Sequence, residues 1–467
     1  MLKIYNSLTK KKEEFRPQNA PGVRMYTCGV TVYDQCHIGH ARSLYVFEVI
    51  RRYLKYKGYK VEFVRNITDI DDKIISRARE LNIDWKELTD KHINNYYKNL
   101  ESLSIEKADK EPRATENIKE MVRYIKALID KGYAYVTKSG VYFSVRKFKD
   151  YGKLSGQSID QIQDGVRIKS DETKADPLDF ALWKKAKQAE PSWPSPWGEG
   201  RPGWHIECSA MSQKFLNTKT LDIHGGGRDL IFPHHENERA QAQALTGKSF
   251  ANYWIHHGLL TINSQKMAKS QGNFITIDDA INRYSADILK IFYLQAHYSS
   301  SIDFSDERME EAKKAYERIS ILKEKLEGLF QGGDIRGKGK PGGPIALFED
   351  NFIKAMDDDF NMPRGLAVLF DLATACNKLL EEPESNKKDL FTGYKVLSRI
   401  IDIFGLIFPK KISKEISSLE IEEKISQRLR YKKQKDFKEA DRIRKELAKK
   451  GIILEDAKEG TIWRIKL

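Results

Sequence analysis

The order of apolar and polar positions near the start of the chain predicts a strand, a loop, a helix and a second strand. Arg24–Val30 is rich in residues that favour strands, and a polar loop follows it. Residues 41–59 carry apolar side chains at helical spacing and reach a glycine stop signal at their end. Residues 61–67 form the next strand-like segment. Two strands joined through a helix predict a parallel sheet with a right-handed crossover.

Further along the chain, helical and strand-like patterns alternate. Residues 85–131 predict helices, one of them starting at Pro112. Residues 134–145 alternate around a Lys-Ser-Gly turn and predict a hairpin, which we interpret as part of an insertion because it interrupts the α/β pattern. Strand and helix patterns then resume and fit the second half of the sheet. Amphipathic patterns across residues 305–408 predict a helical bundle.

Chain length indicates how many domains to expect, and hydropathy indicates where the protein is located. A chain of 467 residues is too long for one simple core, so we expect two to four domains. No apolar run approaches the roughly 18 residues that cross a bilayer, and the charged first residues do not resemble a signal peptide. We therefore expect a cytoplasmic protein with no membrane partner.

Charge and cysteine content narrow the function classes. The net charge of +14 favours an anionic partner such as a nucleic acid or a nucleotide. Residues 410–467 hold 18 Lys and Arg against 11 Asp and Glu, so this short segment carries +7 of that charge. Four cysteines are too few for a disulfide scaffold in so long a chain. Each is therefore a buried thiol, a metal ligand or a reactive group.

His37, Gly39 and His40 lie in the predicted loop and first helical turn after the first strand. The N-terminus of a helix offers free backbone N–H groups and a partial positive charge, which suit a phosphate. Two imidazoles facing that pocket can donate hydrogen bonds to the charge that develops on an attacked phosphate. Two nearby histidines can equally be ordinary core or surface residues.

Lys266 and Lys269 lie in a short loop that follows a strand-like segment. Two ammonium groups on such a loop can reach a pyrophosphate leaving group and neutralise its growing charge. An isolated pair of this kind is also typical of a solvated basic loop.

His234 and Glu238 stand four residues apart, so they share one face of the helix expected after Pro233. An imidazole and a carboxylate at this spacing suit a metal ion, although a surface polar pair is the commoner case. Cys28 ends the first strand and Cys208 stands at the front of the second half. Both positions fall near the carboxyl-end crevice of a doubly wound sheet. Spacing alone does not link the four residues.

The motifs as a set resemble a known family. His37–His40 and Lys266–Ser270 are similar to the paired HIGH and KMSKS signatures of the class I aminoacyl-tRNA synthetases, with Ala268 where that signature has serine. The substitution puts loop closure in question, while both lysines remain. The stretches MYTCGVTVYDQCHIGH, NITDIDDKI, PGWHIECSAM and DIHGGGRDLIFPHHENE resemble the cysteinyl-tRNA synthetases. This likeness extends over essentially the whole chain.

The resemblance implies an α/β fold with a Rossmann-type doubly wound parallel sheet and an inserted subdomain. An α-helical bundle and a small C-terminal anticodon-binding domain follow. The expected segments are the first half of the Rossmann catalytic domain (1–131), the connective insertion (132–187), the second half (188–262), the KMAKS loop and stem-contact region (263–304), the bundle (305–408) and the anticodon-binding domain (409–467).

The resemblance also implies the activity, which is ATP-dependent ligation of L-cysteine to tRNA(Cys) through a cysteinyl-adenylate, by a monomer. In that family the residues matching Cys28, Cys208, His234 and Glu238 bind one zinc ion per chain, and Mg²⁺ accompanies ATP. Shape alone separates near-isosteres such as serine and cysteine only by about 10²-fold, whereas zinc favours sulfur. A purely structural zinc, or no metal, is the alternative.

The remaining residue assignments follow from the same resemblance. Gly225–Gly227 is expected to open a loop that faces a phosphate or sugar. The expected ATP-binding residues are His37, Gly39, His40, Asp229, Lys266 and Lys269, of which the two histidines and two lysines are catalytic. The expected substrate-binding residues are Gly29, Thr68, Trp204 and His224. Phe437 and Asp441 are expected to contact the tRNA anticodon, because the family has an aromatic and an acidic residue at these two positions.

Two other functions stay open at this stage. The cysteine ligase of mycothiol synthesis shares the activation site, yet it needs no anticodon module, so the basic C-terminal segment favours tRNA. A non-catalytic zinc-containing RNA-binding protein is the second alternative. The intact His37–His40 motif and both lysines argue against it.

Overall fold

The computed structural model describes residues 1–159, 161, 173–267, 272–330, 344–383, 386–408, 418–434, 436–449, 452–457 and 460–465. These residues form two compact units, Met1–Leu406 and Ile407–Leu467. Among the helices in these ranges, none is both long enough and apolar enough to cross a lipid bilayer.

Strands and helices are numbered in chain order. The strands are β1 Lys3–Asn6, β2 Lys11–Glu14, β3 Gly22–Thr27, β4 Lys60–Arg65, β5 Ala134–Val136, β6 Gly140–Phe143, β7 Phe180–Lys185, β8 Gly200–Pro202, β9 Leu221–Gly227, β10 Ala251–His257, β11 Leu260–Ile262, β12 Gln265–Lys266, β13 Ile302–Phe304, β14 Ile452–Ala457 and β15 Gly460–Ile465. The helices are α1 Ile38–Tyr56, α2 Asp72–Leu81, α3 Trp85–Ser102, α4 Ile118–Asp130, α5 Trp204–Leu216, α6 Glu236–Thr246, α7 Ile277–Tyr284, α8 Ala286–Leu294, α9 Asp306–Phe330, α10 Leu347–Asp357, α11 Met362–Leu379, α12 Lys387–Phe404, α13 Ser418–Lys433 and α14 Phe437–Lys449.

The predicted parallel sheet is confirmed, with its four strands in the order β10-β9-β3-β4. Each neighbouring pair runs parallel, and Tyr26 of β3 lies opposite His224 of β9. The chain moves outward in one direction from β3 to β4 and in the other from β9 to β10. Such a reversal of strand order opens a crevice at the carboxyl ends of the central strands, where ligands bind in doubly wound folds.

The insertion is a four-stranded antiparallel sheet in the order β5-β6-β7-β8. The hairpin predicted around Gly140 is formed by β5 and β6. The expected end of the insertion at residue 187 falls one strand short, because Gly200–Pro202 pairs with β7. A three-residue strand containing glycine and proline has no alternating pattern, so the sequence did not reveal it.

The helix expected to start at Pro112 starts instead at Ile118, after a 3₁₀ turn at Ala114–Asn117. Pro112 lies in an extended segment, and its carbonyl accepts a hydrogen bond from the Ile67 amide. The buried Asp69 carboxylate accepts hydrogen bonds from the amide and hydroxyl of Thr115 and holds the turn that follows. The helical period therefore begins later than the proline signal indicates.

Helices α9 to α12 form the predicted bundle within the first unit. Their apolar faces bury residues such as Met309, Leu326, Leu369 and Leu397. The bundle packs on α1, where the Tyr45 hydroxyl donates to the carbonyl of Phe404. Helix α1, which follows β3, is thus buried against both the sheet and the bundle.

The second unit contains α13, α14 and the antiparallel hairpin of β14 and β15. Its core is made by apolar residues from both helices and from β14, namely Ile421, Ile425, Ile443, Leu447, Ile452 and Leu454. Trp463 packs against this core, whereas Phe437 is 63% exposed.

Candidate active site and metal centre

Four side chains from distant parts of the sequence meet in the crevice at the carboxyl ends of β3 and β9. Cys28 directly follows β3, and Cys208 lies on α5. His234 lies in a kinked turn at residues 231–235, in which Phe232 is extended, and this turn leads into α6, which carries Glu238. One ligand atom from each of the four lies within 4.8 Å of the others. The structure therefore brings together all four residues that the sequence predicted as metal ligands.

The individual distances are short. The Cys28 sulfur lies 3.6 Å from the Cys208 sulfur and 3.3 Å from Glu238 Oε1. His234 Nε2 lies 3.0 Å from Glu238 Oε1 and 3.6 Å from the Cys208 sulfur. Two thiols, an imidazole and a carboxylate are the ligands that zinc prefers, so the donor set fits that ion.

A second group of donors overlaps the first. Cys28 and Glu238 also lie within 4.8 Å of His224 and His235. His224 Nδ1 lies 3.1 Å from the Tyr26 carbonyl and its Nε2 lies 3.0 Å from Glu238 Oε2. The contacts of both ring nitrogens orient the Glu238 carboxylate. His224 therefore lies beside the cluster, as the sequence predicted.

Burial sets the protonation of these groups. It raises the pKa of the Cys28 thiol well above its ordinary value and that of Cys208 to about 11. It also lowers the pKa of His234 and of His235 far below that of a free imidazole. These two thiols and two imidazoles are therefore neutral at pH 7, and a metal ion bound by the thiols would release their protons.

Sequence reasoning missed several polar residues around the cluster. His205 Nδ1 lies 2.9 Å from His234 Nδ1, and His256 Nε2 lies 2.8 Å from His235 Nδ1. Ser7 Oγ lies 2.8 Å from the other ring nitrogen of His256. The paired histidines at 234 and 235 were a visible signal, but only the fold reveals the partners of His235.

The substrate-binding candidates surround the same cluster. The Trp204 ring stacks on the His234 ring with centroids 4.1 Å apart. The Gly29 amide donates to Asn66 Oδ1 at 2.9 Å, and a Cβ at Gly29 would lie 1.6 Å from the Asn66 carbonyl oxygen, so only glycine fits there. The Thr68 hydroxyl donates to Glu207 Oε2 at 2.8 Å. Glu207 was also missed by the sequence analysis.

The first turn of α1 differs from the phosphate site that its sequence suggested. The amide of Gly39 donates to His37 Nδ1 at 3.1 Å, and the amide of His37 donates to His40 Nδ1 at 3.3 Å. The Ile38 amide donates to the carbonyl of Ile275. These three N–H groups therefore already have acceptors within the protein and are not free to bind a phosphate. The Nδ1 atoms act as acceptors, so the hydrogen of each neutral ring is on Nε2.

The segment that follows the KMAKS loop pairs with the loop that carries His37. His37 and Thr276 form an antiparallel bridge, and the Ile277 amide donates to the Cys36 carbonyl. The segment that follows the second signature thus meets the loop that leads into the first, at the start of α1.

Lys266 lies at the end of β12 and is exposed. A Cβ added at Gly39 would lie 3.5 Å from Met267 Cε, so the residue after Lys266 lies over the first turn of α1. Lys269 and Ala268 lie outside the described residues. Of the two predicted lysines, only Lys266 lies within the described residues, next to the residue that covers this turn.

Gly225–Gly227 does not open a loop as expected, because these residues continue β9 and pair with β10. Side chains there would strike neighbours: a Cβ at Gly225 would lie 2.3 Å from the Phe47 ring. The glycines permit close approach of α1 and the cluster to the strand. Asp229 follows in a 3₁₀ turn and is exposed at the carboxyl edge of the sheet.

The two anticodon candidates lie together in the second unit. Phe437 is the first residue of α14, and Asp441 lies four residues later on the same helix. Both side chains are exposed. They share one helix face, as their spacing requires.

Comparison with known families gives two matches. Residues 14–314 match the model described as the catalytic domain of class I (C) tRNA synthetases. Residues 351–408 match the DALR domain.

Relatives resemble the chain over its full length. A cysteine–tRNA ligase of Thermodesulfovibrio yellowstonii is 48% identical and covers 100% of both chains. Those of Sulfurihydrogenibium sp. and Aquifex aeolicus are 50% and 47% identical, and each match covers 99% of both chains.

Solved structures share the fold at low sequence identity. A methionyl-tRNA synthetase of Mycobacterium tuberculosis with methionyl-adenylate has a TM-score of 0.63 at 14% identity, over 82% of this chain and 90% of that one. A leucyl-tRNA synthetase of Agrobacterium radiobacter K84, in a ternary complex, has a TM-score of 0.64 at 10% identity, over 84% and 85%.

Proposed function

The chain belongs to the cysteine–tRNA ligase family of class I aminoacyl-tRNA synthetases, and we propose that Cys28, Cys208, His234 and Glu238 hold the zinc ion that selects its substrate. The protein ligates cysteine to tRNA at the expense of ATP. The cysteine carboxylate attacks the α-phosphate of ATP, pyrophosphate leaves, and cysteinyl-adenylate forms. The terminal ribose hydroxyl of tRNA then attacks the acyl carbon and AMP leaves.

The observation that carries the zinc proposal is the convergence of two thiols, an imidazole and a carboxylate in the ligand crevice. A zinc ion bound there supplies a preference for thiolate sulfur over hydroxyl oxygen, which a pocket of fixed shape cannot provide. The surrounding residues hold the ligands in place. Glu238 is oriented by His224, and the Trp204 ring packs on His234.

We favour this set over the overlapping one for a chemical reason. The set with Cys208 and His234 contains two thiols, whereas the set with His224 and His235 contains one. Zinc has high affinity for thiolates. His224 and His235 then act as supports, through Glu238 and through the contact of His235 with the Cys28 sulfur at 3.2 Å.

His37 and His40 act on the α-phosphate. Burial lowers the pKa of His37 to about 4 and that of His40 to about 3, so both rings are neutral at pH 7. Their Nε2–H groups donate to the oxygens on which charge develops. Lys266 and Lys269 neutralise the departing pyrophosphate, and Mg²⁺ accompanies ATP.

The other candidates surround the substrates. Gly29, Thr68, Trp204 and His224 line the cysteine pocket, while Gly39 and Asp229 contact ATP. Phe437 and Asp441 read the anticodon, because an exposed aromatic offers a stacking surface to unpaired bases. The full-length likeness to tRNA ligases supports this reading over the amino-sugar ligase. We further propose that the protein acts in the cytoplasm as a monomer.

Metal content tests the ligand set. Cys208→Ser and His234→Ala should each lower the zinc content of the purified protein well below one per chain and weaken discrimination of cysteine from serine in ATP–pyrophosphate exchange. His235→Ala should retain zinc. Cys376→Ser is the matched control, because this thiol is buried in the bundle away from the cluster.

The opposite pattern would contradict the assignment. If Cys208→Ser retained one zinc per chain and its selectivity while His235→Ala lost the metal, the second donor set would be the binding site. Zinc loss in Cys376→Ser would show that metal content reports only stability.

A further inference from the structure

Glu207 is the least expected side chain near the active site. It is 0% exposed, and its Oε2 accepts the hydrogen bond of the Thr68 hydroxyl at 2.8 Å. Its Oε1 is buried with no hydrogen-bond partner among the residues that the structure describes. Burying a carboxyl group with an unsatisfied oxygen destabilises a fold. Such a cost indicates that the group serves the site next to it.

Its partner Thr68 is joined to the metal cluster through one side-chain amide. Asn66 Nδ2 donates to Thr68 Oγ1 at 3.1 Å, while Asn66 Oδ1 lies 3.6 Å from the Cys208 sulfur. The Thr68 amide donates to the carbonyl of Val30, in the segment just after Cys28. A single side chain, Asn66, therefore links the Thr68 hydroxyl to the Cys208 sulfur.

The bonds of the Thr68 hydroxyl fix its direction. A hydroxyl has one hydrogen and two acceptor lone pairs. The hydrogen is donated to Glu207, and one lone pair accepts from Asn66 Nδ2. One lone pair remains, so the hydroxyl can still accept but cannot donate elsewhere.

We propose that Glu207 is a positioning residue that keeps Thr68 Oγ1 an acceptor for the α-ammonium group of cysteine. This inference rests on the proposed function of the cluster. Without an acceptor at Oε2, the Thr68 hydrogen is free to turn toward the substrate and oppose the ammonium hydrogens. The effect requires an acceptor oxygen within hydrogen-bond distance of the Thr68 hydroxyl. The amide oxygen of glutamine can therefore replace the Glu207 carboxylate, whereas the shorter aspartate cannot.

Two conservative variants of Glu207 test whether the length of its side chain or its charge matters for cysteine binding. Affinities of the zinc-loaded full-length protein for L-cysteine and for 3-mercaptopropionate, which lacks the ammonium group, are measured by calorimetry. Glu207→Asp should weaken cysteine binding at least about tenfold, because a hydrogen bond to a charged group is lost. The same variant should change 3-mercaptopropionate binding by less than about twofold. Glu207→Gln should bind both ligands as the wild type does.

Thr68→Val and a remote variant complete the experiment. Thr68→Val should show the same cysteine-selective loss, and adding Glu207→Asp to it should cause no further loss, because both changes remove one interaction. Asp179→Asn is the control, since Asp179 is a buried carboxylate that accepts a tyrosine hydroxyl in the inserted sheet. It should leave both affinities unchanged.

Three outcomes would overturn the inference. Equal weakening of both ligands by Glu207→Asp would assign Glu207 a purely structural role. A loss in Glu207→Gln but not in Glu207→Asp would show that charge and not hydrogen-bond direction matters. If the wild-type protein binds neither ligand in a zinc-dependent way, the proposed metal function fails and this inference fails with it. If wild-type binding is zinc-dependent but Glu207→Asp leaves the ratio of the two affinities unchanged, only the Glu207 inference fails.

Discussion

At the scale of single residues, His37 and His40, which we propose act on the α-phosphate, are neutral imidazoles with an Nε2–H donor. Each Nδ1 accepts a backbone amide of the same turn, which leaves the hydrogen on Nε2. The rings stack with centroids 3.8 Å apart, and burial keeps both uncharged. Two imidazolium cations at this separation would repel each other. The role we propose for them is therefore that of neutral donors to an oxyanion and not of fixed positive charges.

Replacing one of these donors should slow the first step of the reaction. His40→Ala removes the Nε2–H, so adenylate formation in a single turnover should slow by about 10²- to 10³-fold while cysteine affinity stays within a few-fold of wild type. His40→Gln retains an N–H donor and should recover part of the rate. A wild-type rate in His40→Ala would remove the proposed role.

The pKa values give the sign of the pH dependence. A neutral imidazole with a pKa of about 4 or about 3 stays neutral from pH 8 down to pH 6. Protonation of these two rings should therefore add no change of rate across that range. If the rate rose as pH fell through 6.5 and His40→Ala abolished the rise, the charged form would be the active one.

At the scale of elements, the start of α7 links the two signature segments. Thr276 caps this helix through a capping box with Asp279, whose carboxylate accepts from the Thr276 amide and hydroxyl. The same residue forms the bridge to His37. A cap that fixes the helix start thus also fixes the backbone beside His37.

Loss of this cap should affect both stability and rate. Thr276→Ala should lower the free energy of unfolding in urea by about 1 kcal/mol. It should also slow adenylate formation by roughly tenfold to a hundredfold, because the segment beside His37 is displaced. Asp84→Ala is the matched control, since Asp84 caps α3 through the Lys86 amide. A rate loss equal in the two variants would show that stability alone is responsible.

Sequence patterns predicted those elements that have a regular period. Helix α1 and the hairpin of β5 and β6 follow their apolar spacing, so both were found. The kinked turn at residues 231–235 has no such pattern, although it directs His234 and His235 toward the cluster. Gly225–Gly227 has the composition of a loop but lies in a strand, because parallel pairing and crowding by Phe47 determine its conformation.

At the scale of the whole molecule, the site depends on topology that local sequence cannot show. The four proposed metal ligands come from the residue after β3, from α5, from the turn at 231–235 and from α6, and the order of the parallel strands brings them together. Their grouping was predicted through resemblance to a family. No local pattern distinguishes His256 or Glu207 from ordinary polar residues, so sequence analysis could not select them.

The division into two units predicts separable steps. A chain ending at residue 408 retains the unit that contains the cluster and both signature segments, so its cysteine-dependent ATP–pyrophosphate exchange should stay within a few-fold of the full-length protein. Its tRNA charging should fall by at least about a hundredfold.

A single variant guards against an effect of truncation on folding. Phe437→Ala should lower charging in the intact chain without lowering its stability, because this ring is 63% exposed. Persistent charging by the truncated chain would remove the anticodon assignment.

The central claim is that a metal ion held by the four proposed ligands binds the sulfur of the incoming amino acid. The absorption spectrum of the cobalt-substituted protein tests this claim most directly. Cobalt occupies such sites and shows a sulfur-to-metal charge-transfer absorption for each bound thiolate. L-Cysteine should increase this absorption and L-serine should leave it unchanged. An identical response to the two amino acids, or no response to cysteine, would contradict the account.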